Sequence, residues 1–197
     1  MLTTASSFMR TTGTKEMTDI EVIQKYLKTQ EPSFFNILYK RYSVKVYSKS
    51  ISLLKEEAWA KDATQEIFIK IFLNLSKFGG QSKFSTWVYS ITYNFCIDLI
   101  RKKKKMTSVF SDEIENAPDI IDDVPDEALL TMEVSRLKNV LENIPIGDKV
   151  ILLMKYQEEM QIKEIAVALG KTESAIKMKI KRAKHKSQVV YKSLYND

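Results

Sequence analysis

Apolar residues along this chain recur every three to four positions, the rhythm of helices that bury one face. Ile20, Ile23 and Leu27 form one short stripe, and Phe34, Leu38, Tyr42 and Val46 form another after Pro32. Residues 62–75 make a third helix, with Ile67, Phe68, Ile71, Phe72 and Leu75 expected inward. The run Phe78-Gly79-Gly80-Gln81-Ser82 breaks it. A helix-length segment, residues 83–105, follows, and Phe84, Trp87, Val88, Ile91, Phe95 and Leu99 are its predicted core stripe. A second helical block runs from about residue 126 to 195, interrupted at Pro145 and Gly170. Strand-like alternation is not found, so the pattern predicts an all-α chain.

Composition divides that pattern into two lobes. The segment 107–127 holds eight acidic residues and no Lys or Arg, and it contains prolines, which is the composition of a flexible linker. The expected organisation is a disordered Ser/Thr-rich leader at 1–17, an N-terminal helical bundle at 18–106, the acidic linker at 107–127 and a C-terminal helix-turn-helix domain at 128–197. The formal net charge is +6 over 197 residues, so with the linker set aside the remainder is strongly cationic, as expected of a polyanion binder. Cys96 and His185 are each the sole residue of their type, which removes internal disulfides, Cys- or His-based metal sites and Ser/His or Cys/His catalysis. No apolar run is long enough to span a membrane and no signal-peptide core is present, so a cytoplasmic protein without membrane insertion is expected.

Two segments carry the candidate chemistry. The helix at 83–105 combines rings, amides and a basic end, Arg101, Lys102, Lys103, Lys104 and Lys105, the combination by which single-stranded nucleic acid is held. A core helix with a solvated basic end reads the same residues equally well. Residues 161–186 have helix-turn-helix spacing: small Ala166 where two helices meet, Gly170 for a left-handed turn, and Ile176 returning to the core. Thr172 is placed to cap the second helix, with Glu173 favourable against its dipole. The face opposite Ile176, Ile180 and Ala183 is cationic and suits a major groove, although an ordinary helical hairpin with a basic face has the same pattern.

With these motifs in order, the chain resembles a sigma-70 family transcription initiation factor of the extracytoplasmic function group over nearly all of residues 18–190. Asp62-Ala-Thr-Gln65-Glu66-Ile-Phe68 looks like the family's D-x-x-Q-E-x-F motif. Phe84, Trp87, Tyr89, Ile91, Asn94, Ile97, Asp98 and Arg101 match a second motif, and Glu164-Ile165-Ala166, Leu169-Gly170 and Arg182-Ala183 a third. The resemblance implies a non-catalytic initiation factor, without cofactor or metal, that binds the β′ and β subunits of core RNA polymerase and promoter DNA. Asp62, Gln65 and Glu66, beside exposed Ile69 and Leu73, would dock on polymerase. The loop from Phe78 to Lys83 and the following helix would hold a flipped base of the −10 element, with Asn94 nearest that pocket. Tyr89 and Tyr93 are the stacking candidates, Trp87 lies on the core stripe, and Arg101 to Lys105 would meet phosphates. Asn94 is equally placed to pair with Asp98 along the helix.

The basic helix would read the −35 element through Thr172, Glu173, Ser174, Lys177 and Lys181, with Lys179 and Arg182 on the backbone. The acidic linker would thread polymerase channels or serve only as a tether. Family members are commonly held by an anti-sigma factor, and two lobes on a tether permit such a partner. A stand-alone helix-turn-helix regulator is the alternative, and a helical interaction adaptor a more distant one. The regulator leaves the aromatic helix with its basic end unexplained.

Overall fold

The computed structural model describes residues 17–104 and 124–195, and these are helical without strands. The expected leader at 1–17, except its last residue, and most of the acidic linker lie outside the described residues. The N-terminal lobe comprises α1 (Asp19–Thr29), α2 (Pro32–Leu54), α3 (Glu57–Asn74) and α4 (Phe84–Lys104). The C-terminal lobe comprises α5 (Glu127–Leu130), α6 (Val134–Asn143), α7 (Ile146–Leu152), α8 (Ile162–Leu169) and α9 (Glu173–Tyr195).

Local chemistry sets most of these boundaries. Thr18 and Glu21 form a reciprocal capping box at the start of α1, and Pro32 occupies the opening of α2, where its missing N–H costs nothing. Gln30 and Lys55 end α1 and α2 in the left-handed region at φ 56° and 64°. Helix α3 starts five residues earlier than the periodicity suggests, and Phe72, expected inward, is 47% exposed. Its ring lies against Phe35 and Tyr26, with centroids at 5.0 and 5.9 Å, at the edge of the core.

Helix α4 is rotated relative to the stripe read from its sequence. Its buried face is Phe84, Val88, Tyr89, Thr92, Tyr93, Cys96 and Ile97, whereas Trp87, Ile91, Phe95 and Leu99 are half-buried. The reason is the crossing with α2. Ser50, Thr92 and Cys96 are small and fully buried, and the Cys96 thiol meets the Ser50 hydroxyl of α2 at 3.7 Å. Burial pushes that thiol up to about 11, which leaves it protonated and unreactive.

In the C-terminal lobe, Val140, Val150, Ile151, Met154, Met160, Ile165, Ile176 and Ala183 pack between α6, α7, α8 and α9. Gly170 takes φ 62° after α8, and Thr172 Oγ1 accepts from the Ala175 N–H at 3.2 Å, the turn and cap that the spacing predicts. One break escaped the sequence reading: α7 runs into a π turn over Leu153–Gln157, closed by Glu159 at φ 54°. The two lobes also touch. Helix α8 and the turn before it lie across α4 and α2, so the buried cluster is continuous through both.

Candidate nucleic-acid and polymerase interfaces

Three surfaces hold the residues singled out above. On α3, burying Ala63, Thr64, Ile67, Phe68 and Ile71 turns the remaining positions outward. Asp62, Gln65 and Glu66 are exposed, with Ile69 at 50% and Leu73 at 67% beside them. An apolar ridge flanked by carboxylates and an amide is suited to a second helix of opposite charge. Lys70, a candidate partner for Glu66, has its Nζ 5.6 Å from the Phe95 ring centroid.

The second surface surrounds the loop between α3 and α4. Phe78, Phe84 and Trp87 form a triangle of rings, with Phe84 stacked on Trp87 at 5.6 Å and Phe78 edge-on to Phe84 at 5.2 Å. Beside this triangle lies a cavity of about 630 Å³, lined on the α4 side by Phe78, Gln81, Trp87, Ser90 and Asn94 and on the other by Lys163, Val167 and Ala168 of α8. Asn94 faces it as expected, but its Nδ2 donates to the Ala168 carbonyl at 2.5 Å and not to Asp98. Lys83, just before α4, is exposed, and Lys77 lies in the cavity wall.

The two stacking candidates are not surface rings. Tyr89 is buried and Tyr93 is 1% exposed, because the rotation of α4 carries both inward. The Tyr93 hydroxyl donates to Glu158 Oε1 at 3.2 Å, and burial, with Glu158 close by, raises its pKa. Lys49 pairs with the same carboxylate, and its Nζ lies 4.1 Å from the Tyr89 ring centroid. The half-exposed rings on this helix are instead Trp87 and Phe95, both of which had been read as core.

The basic end of α4 is partly engaged. Arg101 pairs with Asp98 at 3.2 Å, while Lys103 lies 3.8 Å from the Trp59 ring centroid and 3.5 Å from Glu56. Lys102 is exposed. The Lys104 side chain and Lys105 lie outside the described residues.

The third surface is the start of α9. Thr172, Glu173, Ser174 and Lys177 are exposed and Lys181 is half-exposed. Lys179 and Arg182, expected on the DNA backbone, are both buried, at 2% and 8%. Asp148, with no exposed surface, sits in the first turn of α7 and holds Lys179 at 2.7 Å and Lys186 at 3.1 Å. Lys184 is drawn inward as well, to Asp126 at 2.8 Å, where the Tyr156 hydroxyl also donates at 2.7 Å. These two hydrogen bonds hold the Asp126 carboxyl below the usual range. Asp148, Asp126 and Glu158 were missed from sequence. The one available signal was an acid interrupting the apolar run from Ile144 to Met154.

Among the described residues no group of three or more His, Cys, Asp or Glu is arranged to hold a metal, and no helix is long and apolar enough to cross a membrane.

A family model for sigma-70 region 2 matches residues 38–106 and another, for sigma-70 region 4, matches residues 135–186. Together they span more than half of the chain. The chain belongs to the sigma-70 family of RNA polymerase sigma factors, in its extracytoplasmic function group. It is similar to the ECF RNA polymerase sigma factor SigW of Bacillus subtilis, 27% identical over 168 residues that cover 81% of this chain and 90% of the relative. The ECF RNA polymerase sigma-E factor of Escherichia coli is 25% identical over 178 residues, covering 86% and 92%. In fold the chain resembles CnrH, solved in complex with the cytosolic domain of CnrY, with a TM-score of 0.59 at 19% identity over 89% of this chain and 97% of that one. It likewise resembles the Bartonella quintana sigma factor RpoE, solved with the anti-sigma factor NepR, with a TM-score of 0.56 at 16% identity over 80% and 96%.

Proposed function

We propose that this sigma factor, a promoter-specific initiation factor by its family, divides its work among the three surfaces. The exposed face of α3, with Asp62, Gln65, Glu66, Ile69 and Leu73, docks on core RNA polymerase. The cavity beside Phe78, Trp87 and Asn94 takes an unstacked base of the −10 element, with Lys83 and Lys102 near its phosphates. Capture of that base offsets an unstacking cost of a few kcal/mol, which is how a protein without catalytic groups promotes melting. The first turn of α9, with Thr172, Glu173, Ser174, Lys177 and Lys181, enters the major groove at the −35 element. The chain acts in the cytoplasm and catalyses no reaction, and an anti-sigma factor is among its partners.

The observation that carries this reading is the coexistence, in one chain, of a free helix-turn-helix first turn with the exposed D-x-x-Q-E face of α3. A stand-alone regulator needs only the former. Co-purification with bacterial core polymerase, followed by run-off transcription on a fragmented genomic library, tests it. Association with discrete new start sites is the expected result. Duplex binding without association would favour the regulator and reject the assignment of α3.

A further inference from the structure

An apolar groove along α6 carries in its wall a buried ammonium group that no carboxylate among the described residues neutralises. We propose that this groove binds an amphiphilic carboxylate, a free medium-chain fatty acid, with its tail against the leucines of α6 and α7 and its head on Lys149. The groove shares no residue with the three surfaces described above, so the site is independent of the promoter reading.

The groove has a volume of about 450 Å³, within the range of small-molecule sites. Leu130, Leu137, Leu141, Leu152 and Tyr156 supply most of its wall. Leu137 and Leu141 lie one turn apart on α6 and are only half-buried. Leu130 and Val134, also in the wall, are 64% and 82% exposed. Covering apolar surface left open in this way is what favours an acyl chain. A ten-carbon carboxylate has about a dozen heavy atoms, which at roughly 30 Å³ each occupy about 360 Å³ and fit the space.

The polar part of the wall selects the head. Lys149 is 6% exposed, and its Nζ donates to the Ser52 carbonyl at 3.2 Å, with both residues lining the groove. Among the described residues no Asp or Glu pairs with it. Glu142, an acid in the same wall, is held by Lys55 at 2.6 Å. Lys138 lines the groove as well, so three ammonium groups share one carboxylate. Burial, and then the neighbouring charge of Lys55, push the Lys149 pKa down. A buried cation without an anion is costly, and a ligand carboxylate supplies the missing partner through a charge-assisted hydrogen bond. A neutral apolar ligand would cover the leucines and leave the ammonium as it is.

The test is isothermal titration calorimetry of the full chain with sodium decanoate, kept below the concentration at which it forms micelles. Saturable binding of one decanoate per chain is expected. Decanol should bind at least about tenfold more weakly, because it cannot form the charge-assisted bond. Octanoate should fall below decanoate by about fourfold for each methylene lost. Lys149→Met keeps the length of the side chain and removes its charge, and it should bring decanoate down to the level of decanol. Glu142→Gln, at an exposed position, should raise decanoate affinity by up to about fivefold and leave decanol unaltered, a gain that misfolding would not produce. Absence of saturable binding, equal binding of decanoate and decanol, or a preference for decanoate that survives Lys149→Met would each overturn the site. So would self-association of the free chain that decanoate reverses in sedimentation velocity, which would assign the groove to a second copy.

Discussion

Helices α4 and α9 look alike in sequence and are used in opposite ways. Both combine an apolar face with a run of cations, and both were read as nucleic-acid helices. In α4 the neutral polar groups turn inward: Thr92 bonds its own Val88 carbonyl, and Tyr93 reaches Glu158 in the other lobe. In α9 it is the cations that turn inward, with Lys179 on Asp148 and Lys184 on Asp126, while the first turn, with Glu173 and Ser174, stays exposed. Counting cations along a helix therefore overstates the charge it can offer to DNA. What decides is whether another element places an acid beneath it.

The sharpest consequence lies at Asp148. Asp148→Ala would remove the buried carboxylate that holds both Lys179 and Lys186, and breaking a buried pair from one side costs about 3–5 kcal/mol. The protein should lose that much stability in chemical denaturation. Replacing both members by leucine should recover most of it, since a packed apolar pair stands in for a buried ion pair at little cost. A small effect of the single change would mean that Lys179 escapes to solvent and that α9 carries one more DNA-facing charge than described.

The contrast within α9 is open to a milder test. Lys177 is exposed and Lys179, two positions on, is not. Lys177→Ala should flatten the slope of log K against log salt for a −35 duplex by about 0.9 if one phosphate contact is lost, and Lys181→Ala by no more than that. Lys179→Met should leave the slope unchanged while altering stability. Equal slopes for Lys177→Ala and the wild type would move the duplex to another face.

Much of this architecture is legible in sequence where the cause is local. Gly170 at positive φ, the Thr172 cap and the exposed D-x-x-Q-E face of α3 all follow from a few adjacent residues. The rotation of α4 is not legible, because that helix is apolar on most of its circumference. Its buried side carries small and polar groups, Thr92 and Cys96 among them, with Cys96 against Ser50 of α2, and a hydrophobic period cannot see that. The ion pairs are equally hidden. Lys186 finds Asp148 38 residues away and Lys49 finds Glu158 109 residues away, separations at which spacing carries no information. Tyr89, Tyr93, Lys179 and Arg182 were misplaced for these reasons, and so was the unforeseen contact between lobes.

Acid should act on the two helices unequally. Asp126 has its pKa lowered by the hydrogen bonds from Lys184 and Tyr156, so its contribution to stability is complete above the ordinary aspartate range near pH 4. That contribution is lost as the pH falls through the lowered folded value. The anchoring of α9 to Asp126 should therefore weaken only in strong acid, and Asp126→Asn should remove this part of the pH dependence. Thermal unfolding of the two proteins between pH 5 and pH 2.5 should converge at the low end. Parallel curves would show that Lys184 has other sufficient partners.

The smallest effect concerns the turn that presents Glu158. Glu159, next to it, is exposed and holds φ 54°, a left-handed conformation that costs an ordinary residue about 1–2 kcal/mol. Glycine adopts it freely but gives up about 0.5–1 kcal/mol through the greater freedom of the unfolded chain. Glu159→Gly should thus be mildly stabilising, by about 0.5–1 kcal/mol, and raise the midpoint of thermal unfolding by a few degrees. Gln30 and Lys55 hold the same conformation at the ends of α1 and α2, so glycine at Gln30 should do likewise in the other lobe. If Glu159→Gly destabilises while Gln30→Gly does not, the Glu159 side chain is contributing to the turn before α8. The left-handed residue would then help to set Glu158 against Lys49.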